Sequence, residues 1–250
     1  MADIAAVVLA AGKGTRMKSD LPKVLFPVLG RAMIHWVLDA LEAAGVTKTI
    51  VVVGYREDLV RQELAGRNAE FAVQSEQLGT GHAVQMCRPN LECGDSPVLI
   101  VAGDSPMIQA DSIAELIRQF TAQKWECLMG TLIKDDPKGL GRLVRDSSGR
   151  FLRIVEHKDA SPEELLIQEV NMSTYLFHRS SLLWALEHLK NTNSQAEYYL
   201  TDCPAILKHA GKNVEALPVL KSCESLSINT IDELEMVEAK MTEMGYPCKN

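Results

Sequence analysis

The chain has 250 residues, of which 46% are hydrophobic, and a formal net charge of −7. A chain of this length can hide roughly 70–75% of its unfolded surface, so a sizeable core is expected. The acidic balance argues against nucleic acid as the partner, because phosphate backbones select basic faces, yet a few local cations could still hold an anionic small molecule.

The six cysteines (Cys87, Cys93, Cys127, Cys203, Cys223 and Cys248) form no C-x-x-C pair and no zinc-finger spacing. Scattered thiols suit a reducing compartment. No charged leader with a long apolar run opens the chain, and no run of 18 apolar residues follows. The expectation is a soluble cytoplasmic protein without a membrane partner.

Ile4–Leu9 is an apolar run without polar alternation, as expected for a parallel strand covered on both faces. Ile34, Val37, Leu38 and Leu41 recur at helical spacing and stop at Gly45. Thr49–Val53 predicts a strand, Asp58–Leu64 a helix, Phe71–Val73 a short extended segment, and Gly81–Met86 a helix. Val98–Ala102 is a further apolar strand, and Ile113, Leu116, Ile117 and Phe120 repeat the helical stripe. This alternation predicts an α/β three-layer sandwich around a Rossmann-like, mostly parallel sheet.

The texture changes after residue 125. Leu143–Val144 and Phe151–Val155 flank a hairpin-like turn at Asp146-Ser147-Ser148-Gly149, and Val170–Phe177 is again a strand. Helices are expected at Leu182–Leu189 and Thr201–His209, a strand at Val214–Val219, and a final amphipathic helix from Asp232 to Met244. A single domain over 1–250, with a small antiparallel insertion at about 139–178, is the simplest organisation.

Three strings carry chemistry. The first runs from Val8 to Met17 and closes at Leu21-Pro22-Lys23. Past Leu9, the small residues Ala10, Ala11, Gly12 and Gly14 would let backbone amides approach a polyphosphate, and such concave amide arrays favour anions. Arg16 and Lys23 reach the same mouth and could neutralise different phosphates. The string lacks the third glycine of the dinucleotide fingerprint and the Gly-Lys-Ser/Thr ending of the Walker loop. Its bland alternative is a glycine-rich turn with two solvated cations.

The second string is Gln74-Ser75-Glu76-Gln77-Leu78-Gly79-Thr80-Gly81-His82-Ala83. Gln74 and Gln77 offer amide donors and acceptors suited to a base edge, and Gly79 and Thr80 expose backbone at a helix start. His82 reads as a structural histidine. The third is Asp104, directly after an apolar strand, where open α/β sheets place ligands and where a hard oxygen suits Mg²⁺. An Asx-turn before Pro106 is its plain alternative.

Together these strings resemble the sugar-phosphate nucleotidyltransferases, with the GTRM and LPK elements of the signature loop intact. Residues 74–83 match the pattern QxxQLGTGHA of the N-acetylglucosamine-1-phosphate uridyltransferases at every specified position. Gly139-Leu140-Gly141-Arg142, Ile154 to Ala160, Glu169-Val170-Asn171 and Glu197-Tyr198-Tyr199-Leu200-Thr201-Asp202 follow in family order. The resemblance implies a nucleotide-diphospho-sugar transferase fold. It implies transfer of uridylate from UTP to N-acetylglucosamine-1-phosphate, giving UDP-N-acetylglucosamine and pyrophosphate.

By the same resemblance Arg16 and Lys23 are catalytic, and Leu9, Ala10, Ala11, Gly12, Gly14, Gln74, Gln77, Gly79 and Thr80 hold the nucleotide. Gly103, Gly141, Glu156, Asn171, Tyr199 and Thr201 hold the sugar, and Asp104 and Asn229 hold Mg²⁺. The chain departs from the family pattern at Ala102, usually aromatic, at Ser173, usually glycine, and at Ser227, usually glycine. All three lie on the sugar or metal side.

Other readings are a nucleotidyltransferase for a different sugar-1-phosphate, a cytidylyl- or molybdenum-cofactor guanylyltransferase, or a degenerate domain that senses ligand without turnover. No hexapeptide repeats occur, so no acetyltransferase domain is expected, and without that trimerising element a monomer or weak dimer is expected.

Overall fold

The computed structural model describes residues 3–17, 19–92, 94 and 96–248; Cys93 lies outside them. Among the described residues there are eleven strands and eight helices, and the strand–helix alternation expected from the sequence runs through the first half. In chain order the first half holds β1 (Ala5–Leu9), β2 (Pro27–Val28), β3 (Arg31–Ala32), α1 (Met33–Ala43), β4 (Lys48–Val53), α2 (Glu57–Glu63) and β5 (Glu70–Val73). It continues through α3 (Thr80–Gln85), α4 (Arg88–Leu91), β6 (Val98–Ala102) and α5 (Ala110–Gln123). The second half holds β7 (Cys127–Ile133), β8 (Arg142–Arg145), β9 (Phe151–Val155), β10 (Glu169–Phe177), α6 (Arg179–Glu187), α7 (Cys203–His209), β11 (Val214–Leu217) and α8 (Ile231–Glu243).

The central path runs β11-β7-β10-β6-β1-β4-β5. Strands β6, β1, β4 and β5 are mutually parallel, as are β11 and β7, while β10 runs antiparallel to β6 and β7. Alternate side chains of each strand enter opposite cores, as the pleat requires. Ala6 and Val8 of β1 pack with α1, α5 and α8, whereas Ala5 and Val7 face α3, α6 and α7. A sheet covered on both faces explains why β1 and β6 read as continuous apolar runs.

Three features went beyond the sequence reading. Strand β7 crosses the sheet beside β10. The two-residue strands β2 and β3 form a separate hairpin after the signature loop. The antiparallel segment is no detached appendage. Its strand β10 is itself a member of the main sheet, with β8 and β9 paired outward from its first half.

The register positions the site. Leu9 lies level with Val52 of β4 and Ala102 of β6, and Val53 with Val73 of β5. The parallel strands therefore end along one edge, and the segments leaving β1, β5 and β6 meet there. Ligands of open α/β sheets bind at that carboxyl edge.

Candidate functional site

The loop after β1 is pinned at both ends and open between. Met17 is 2% exposed, Val24 and Leu25 are buried, and a 3-10 turn at Thr15–Met17 lifts Arg16 into solvent between these anchors. The amides of Gly12, Lys13 and Gly14 donate to no acceptor among the described residues. At Gly14 the backbone is left-handed (φ +67°), and a Cβ there would stand 2.7 Å from Cβ of Lys23. Glycine thus lets the loop fold back against Lys23.

Two clefts open at the edge. The first, about 550 Å³, is lined by the loop at 9–16, by Gln74, Gln77, Gly79 and Thr80, and by Lys23 and Glu197. The second, about 510 Å³, is lined by Lys134, Lys138, Asn171, Ser227 and Asn229, with Leu140, Met172 and Met236 as apolar wall. Arg16, Ala102, Asp104 and Ser173 line both.

At the junction the two cations and two oxygen donors converge. The Lys23 ammonium donates to an Asp104 carboxylate oxygen and, at 2.6 Å, to Oδ1 of Asn229, while Arg16 donates to the same Oδ1 at 2.7 Å. The Lys23 side chain is only 12% exposed, unlike a solvated surface lysine. Asn229 is held in turn. Glu233 accepts from its amide at 2.6 Å as part of the Thr230/Glu233 capping box that starts α8, and its Nδ2 donates to the Ser227 hydroxyl at 3.3 Å.

The segment carrying Gln74 and Gln77 is tied to the loop. Gln77 is exposed and donates from Nε2 to the Ala11 carbonyl at 2.8 Å. Gln74 is buried; its Nε2 donates to the Gly79 carbonyl at 3.0 Å and lies 3.1 Å from Nδ1 of His82. His82 therefore braces Gln74, consistent with a structural histidine. Gly79, at φ +110°, has no room for a Cβ, which would stand 2.6 Å from the Tyr198 carbonyl. Tyr198 also pairs with Leu78 and Gly81 through backbone hydrogen bonds, and Leu200 N donates to Thr80 Oγ1 at 3.0 Å. This stitches the segment at 197–202 onto the first cleft.

The residues expected on the sugar side are distributed less simply. Asn171 lines the second cleft, but its Nδ2 donates to the Tyr175 hydroxyl at 2.7 Å and its Oδ1 accepts from the Ser173 amide at 3.3 Å. Glu156, Thr201, Tyr199, Gly141 and Gly103 line neither of these two clefts. Thr201 donates to Glu156 at 3.0 Å, Gln195 donates to the Tyr199 hydroxyl at 2.6 Å, Gly141 accepts from the Asn171 amide, and Gly103 donates to the Leu9 carbonyl. Burial pushes the Glu156 carboxyl above its ordinary range, against the pull of the Thr201 hydroxyl; nearby Asp159, Asp202 and Glu197 push the same way.

The sequence singles out Ser173 and Glu197, as a departure on the sugar side and as the head of the element at 197–202, but assigns them no contact; Lys134 and Lys138 are not expected at all. These two lysines have no local signature, whereas the capping box at Thr230 and Glu233 does. Among the described residues, no group of three or more His, Cys, Asp or Glu could hold a metal. Asp104 and Asn229 nonetheless present hard oxygens that one ammonium already reaches together. That donor set suits Mg²⁺, which usually takes one or two protein ligands and completes its shell with phosphate and water.

A doubly covered α/β sheet with a glycine loop and convergent cations at its carboxyl edge is the architecture of a nucleotide-handling domain. The chain matches the MobA-like NTP transferase domain across residues 6–197 and belongs to that family. It is 45% identical over 236 residues to the bifunctional protein GlmU of Exiguobacterium sp. (strain ATCC BAA-1283 / AT1b), covering 94% of this chain and 52% of that protein. Similar relatives are the bifunctional protein GlmU of Streptococcus suis (44% identity, 94% and 51% covered) and of Geobacillus sp. strain WCH70 (43%, 98% and 52%). The chain spans about half the length of the curated relatives it matches.

Proposed function

We propose that this chain transfers uridylate from UTP to N-acetylglucosamine-1-phosphate, yielding UDP-N-acetylglucosamine and pyrophosphate. The observation that carries the reading is the convergence of Arg16, Lys23, Asp104 and Asn229 where the two clefts meet. The uridyltransferase pattern at 74–83 and the 43–45% identity to bifunctional GlmU proteins support the same assignment.

The first cleft takes the nucleotide: the amides of Gly12, Lys13 and Gly14 face the triphosphate, with Gln74 and Gln77 toward the base. The second takes the sugar phosphate, whose oxygen attacks the α-phosphorus as pyrophosphate leaves. The nucleophile is already anionic and needs no general base, so the chain's task is positioning and charge neutralisation. Lys23 neutralises charge around the α-phosphate, and Arg16 balances the departing pyrophosphate. Asp104 and Asn229 would hold Mg²⁺, which when bound supplies Lewis-acid neutralisation of the phosphate oxygens of both substrates.

A cytoplasmic setting is part of this reading. It is supported by the unpaired thiols of Cys87, Cys127, Cys203 and Cys223, all buried, and by the absence among the described residues of a helix long and apolar enough to cross a membrane.

The deciding experiment is a coupled pyrophosphate-release assay across four nucleoside triphosphates and a panel of sugar-1-phosphates. Turnover is expected for UTP with N-acetylglucosamine-1-phosphate. No release with that pair, or equal release with CTP or GTP, would overturn the assignment.

A further inference from the structure

Ser173 is a non-glycine residue held at φ +52°, at the irregularity where the register of β10 against β7 shifts between Asn171 and Thr174. L-residues other than Asn and Asp rarely occupy this left-handed region, and the strain persists only where surrounding structure enforces it. Strand β10 pairs with β6 as far as Tyr175 opposite Ile100, and Ser173 and Ala102 both lie just beyond that last pair. Both residues line both clefts, as do Arg16 and Asp104.

The Ser173 amide is satisfied by Oδ1 of Asn171, but its hydroxyl makes no hydrogen bond among the described residues. A hydroxyl normally finds a local backbone partner in such a turn, so one left free at a cleft junction is available to a ligand. Asn171 is less available. It is 7% exposed and already spends an amide hydrogen on Tyr175 and a lone pair on the Ser173 amide. Ala102, which lines the same two clefts, brings only a methyl group, so the polar contact on this wall falls to Ser173.

We infer that Ser173 is a specificity residue for the sugar phosphate: its hydroxyl hydrogen-bonds a hydroxyl of the hexose ring in the second cleft. This rests on the function proposed above. Gln74 and Gln77, the residues set toward the base, line the first cleft and not the second, so a contact made in the second discriminates among sugar phosphates and not among nucleotides.

Ser173→Ala and Ser173→Gly test it together. Both remove the hydroxyl, but only glycine relieves the left-handed backbone. A net hydrogen bond corresponds to roughly a two- to tenfold change in an equilibrium or rate constant. Both variants should lose about that factor in kcat/KM for N-acetylglucosamine-1-phosphate, with the KM for UTP within twofold of wild type. The melting temperature of Ser173→Gly should rise by roughly 1–3 °C. A merely structural serine predicts the melting shift without the kinetic one. Wild-type turnover with both variants unchanged toward the sugar phosphate overturns the Ser173 assignment and leaves the function standing. No wild-type turnover with UTP and N-acetylglucosamine-1-phosphate overturns the function and the assignment with it.

Discussion

The ammonium of Lys23 and the carboxylate of Asp104, 81 positions apart in sequence, form an ion pair at the meeting point of the two clefts, with the lysine 12% exposed. A compact point charge held there suits a phosphate oxygen whose charge changes during transfer. Lys23→Ala should cost roughly 2.7–4 kcal/mol of transition-state stabilisation, about 10²–10³ in turnover, by analogy with deletion of an oxyanion donor. UTP affinity should fall less, because Arg16 and the loop amides remain. Steady-state kinetics paired with calorimetric UTP binding checks this, and turnover within threefold of wild type would remove Lys23 from the chemistry.

Gly14 sets where that lysine stands. An alanine at φ +67° carries a left-handed penalty of roughly 1–2 kcal/mol, and its Cβ would crowd Cβ of Lys23 at 2.7 Å. Gly14→Ala should therefore lower both stability in urea and turnover. Gly12→Ala is the control, since nothing lies within 4 Å of a Cβ there. Equal losses of stability in the two variants would show that packing against Lys23 is not the cause.

Asp104 and Asn229 account for metal dependence on the proposed reading. Asp104→Ala removes the charged oxygen and leaves the Lys23 ammonium with Asn229 alone. Lewis-acid neutralisation contributes several kcal/mol to phosphoryl transfer, so turnover should fall about 10²-fold or more. Excess EDTA should abolish wild-type turnover and Mg²⁺ should restore it. Full activity of the variant, or of the wild type in EDTA, would sink the assignment.

The legible parts of this molecule were those with a local cause. Strands β1 and β6 are apolar throughout because both faces are covered, and α1 stops before Gly45, which adopts φ +87°. Strand β7 escaped because Cys127-Leu128-Met129-Gly130-Thr131 has few of the branched and aromatic residues that mark a strand. Its glycine is explained only by tertiary packing, since a Cβ at Gly130 would stand 3.0 Å from the Leu220 side chain. The site divides in the same way. The Gly12–Arg16 loop and Asp104 follow from strand-end logic, whereas Asn229 meets Lys23 across 206 residues, a pairing no spacing rule contains. Family resemblance supplied it. The amide nitrogen of Gln74 is likewise turned inward by a contact with His82 that no local pattern reveals.

That inward turn separates the two glutamines by effect. Buried Gln74 holds the Gly79 carbonyl and His82, so Gln74→Ala should destabilise the fold by about 1–3 kcal/mol through unsatisfied partners. Among the described residues exposed Gln77 bonds only the Ala11 carbonyl, and Gln77→Ala should leave stability nearly unchanged while weakening the preference for UTP over CTP. Denaturant titration of both variants, with kcat/KM for each nucleotide, checks the pair. A large stability loss from Gln77→Ala with unaltered nucleotide preference would reverse the roles.

Glu156 offers a prediction in pH. Burial raises its carboxyl above the ordinary value of 4.5, with Asp159, Asp202 and Glu197 adding to the rise and the Thr201 hydrogen bond opposing it. A carboxyl whose folded pKa is raised favours the folded state below the ordinary value, and that contribution is lost as pH climbs through the folded pKa. Above it, the ionised group works against folding. Glu156→Gln keeps an acceptor for the Thr201 hydroxyl and removes the half-buried charge. Its melting temperature should therefore exceed wild type at pH 7 and converge on it near pH 4. Glu156 lines neither cleft, so a rise of roughly ten- to a hundredfold in the KM for the sugar phosphate, the range of a charged hydrogen bond, with the KM for UTP unmoved, would show that the hexose extends beyond the second cleft to this carboxylate. Calorimetric melts at both pH values and two-substrate kinetics separate these effects. A melting gain independent of pH would mean that ionisation of Glu156 is not what its burial opposes.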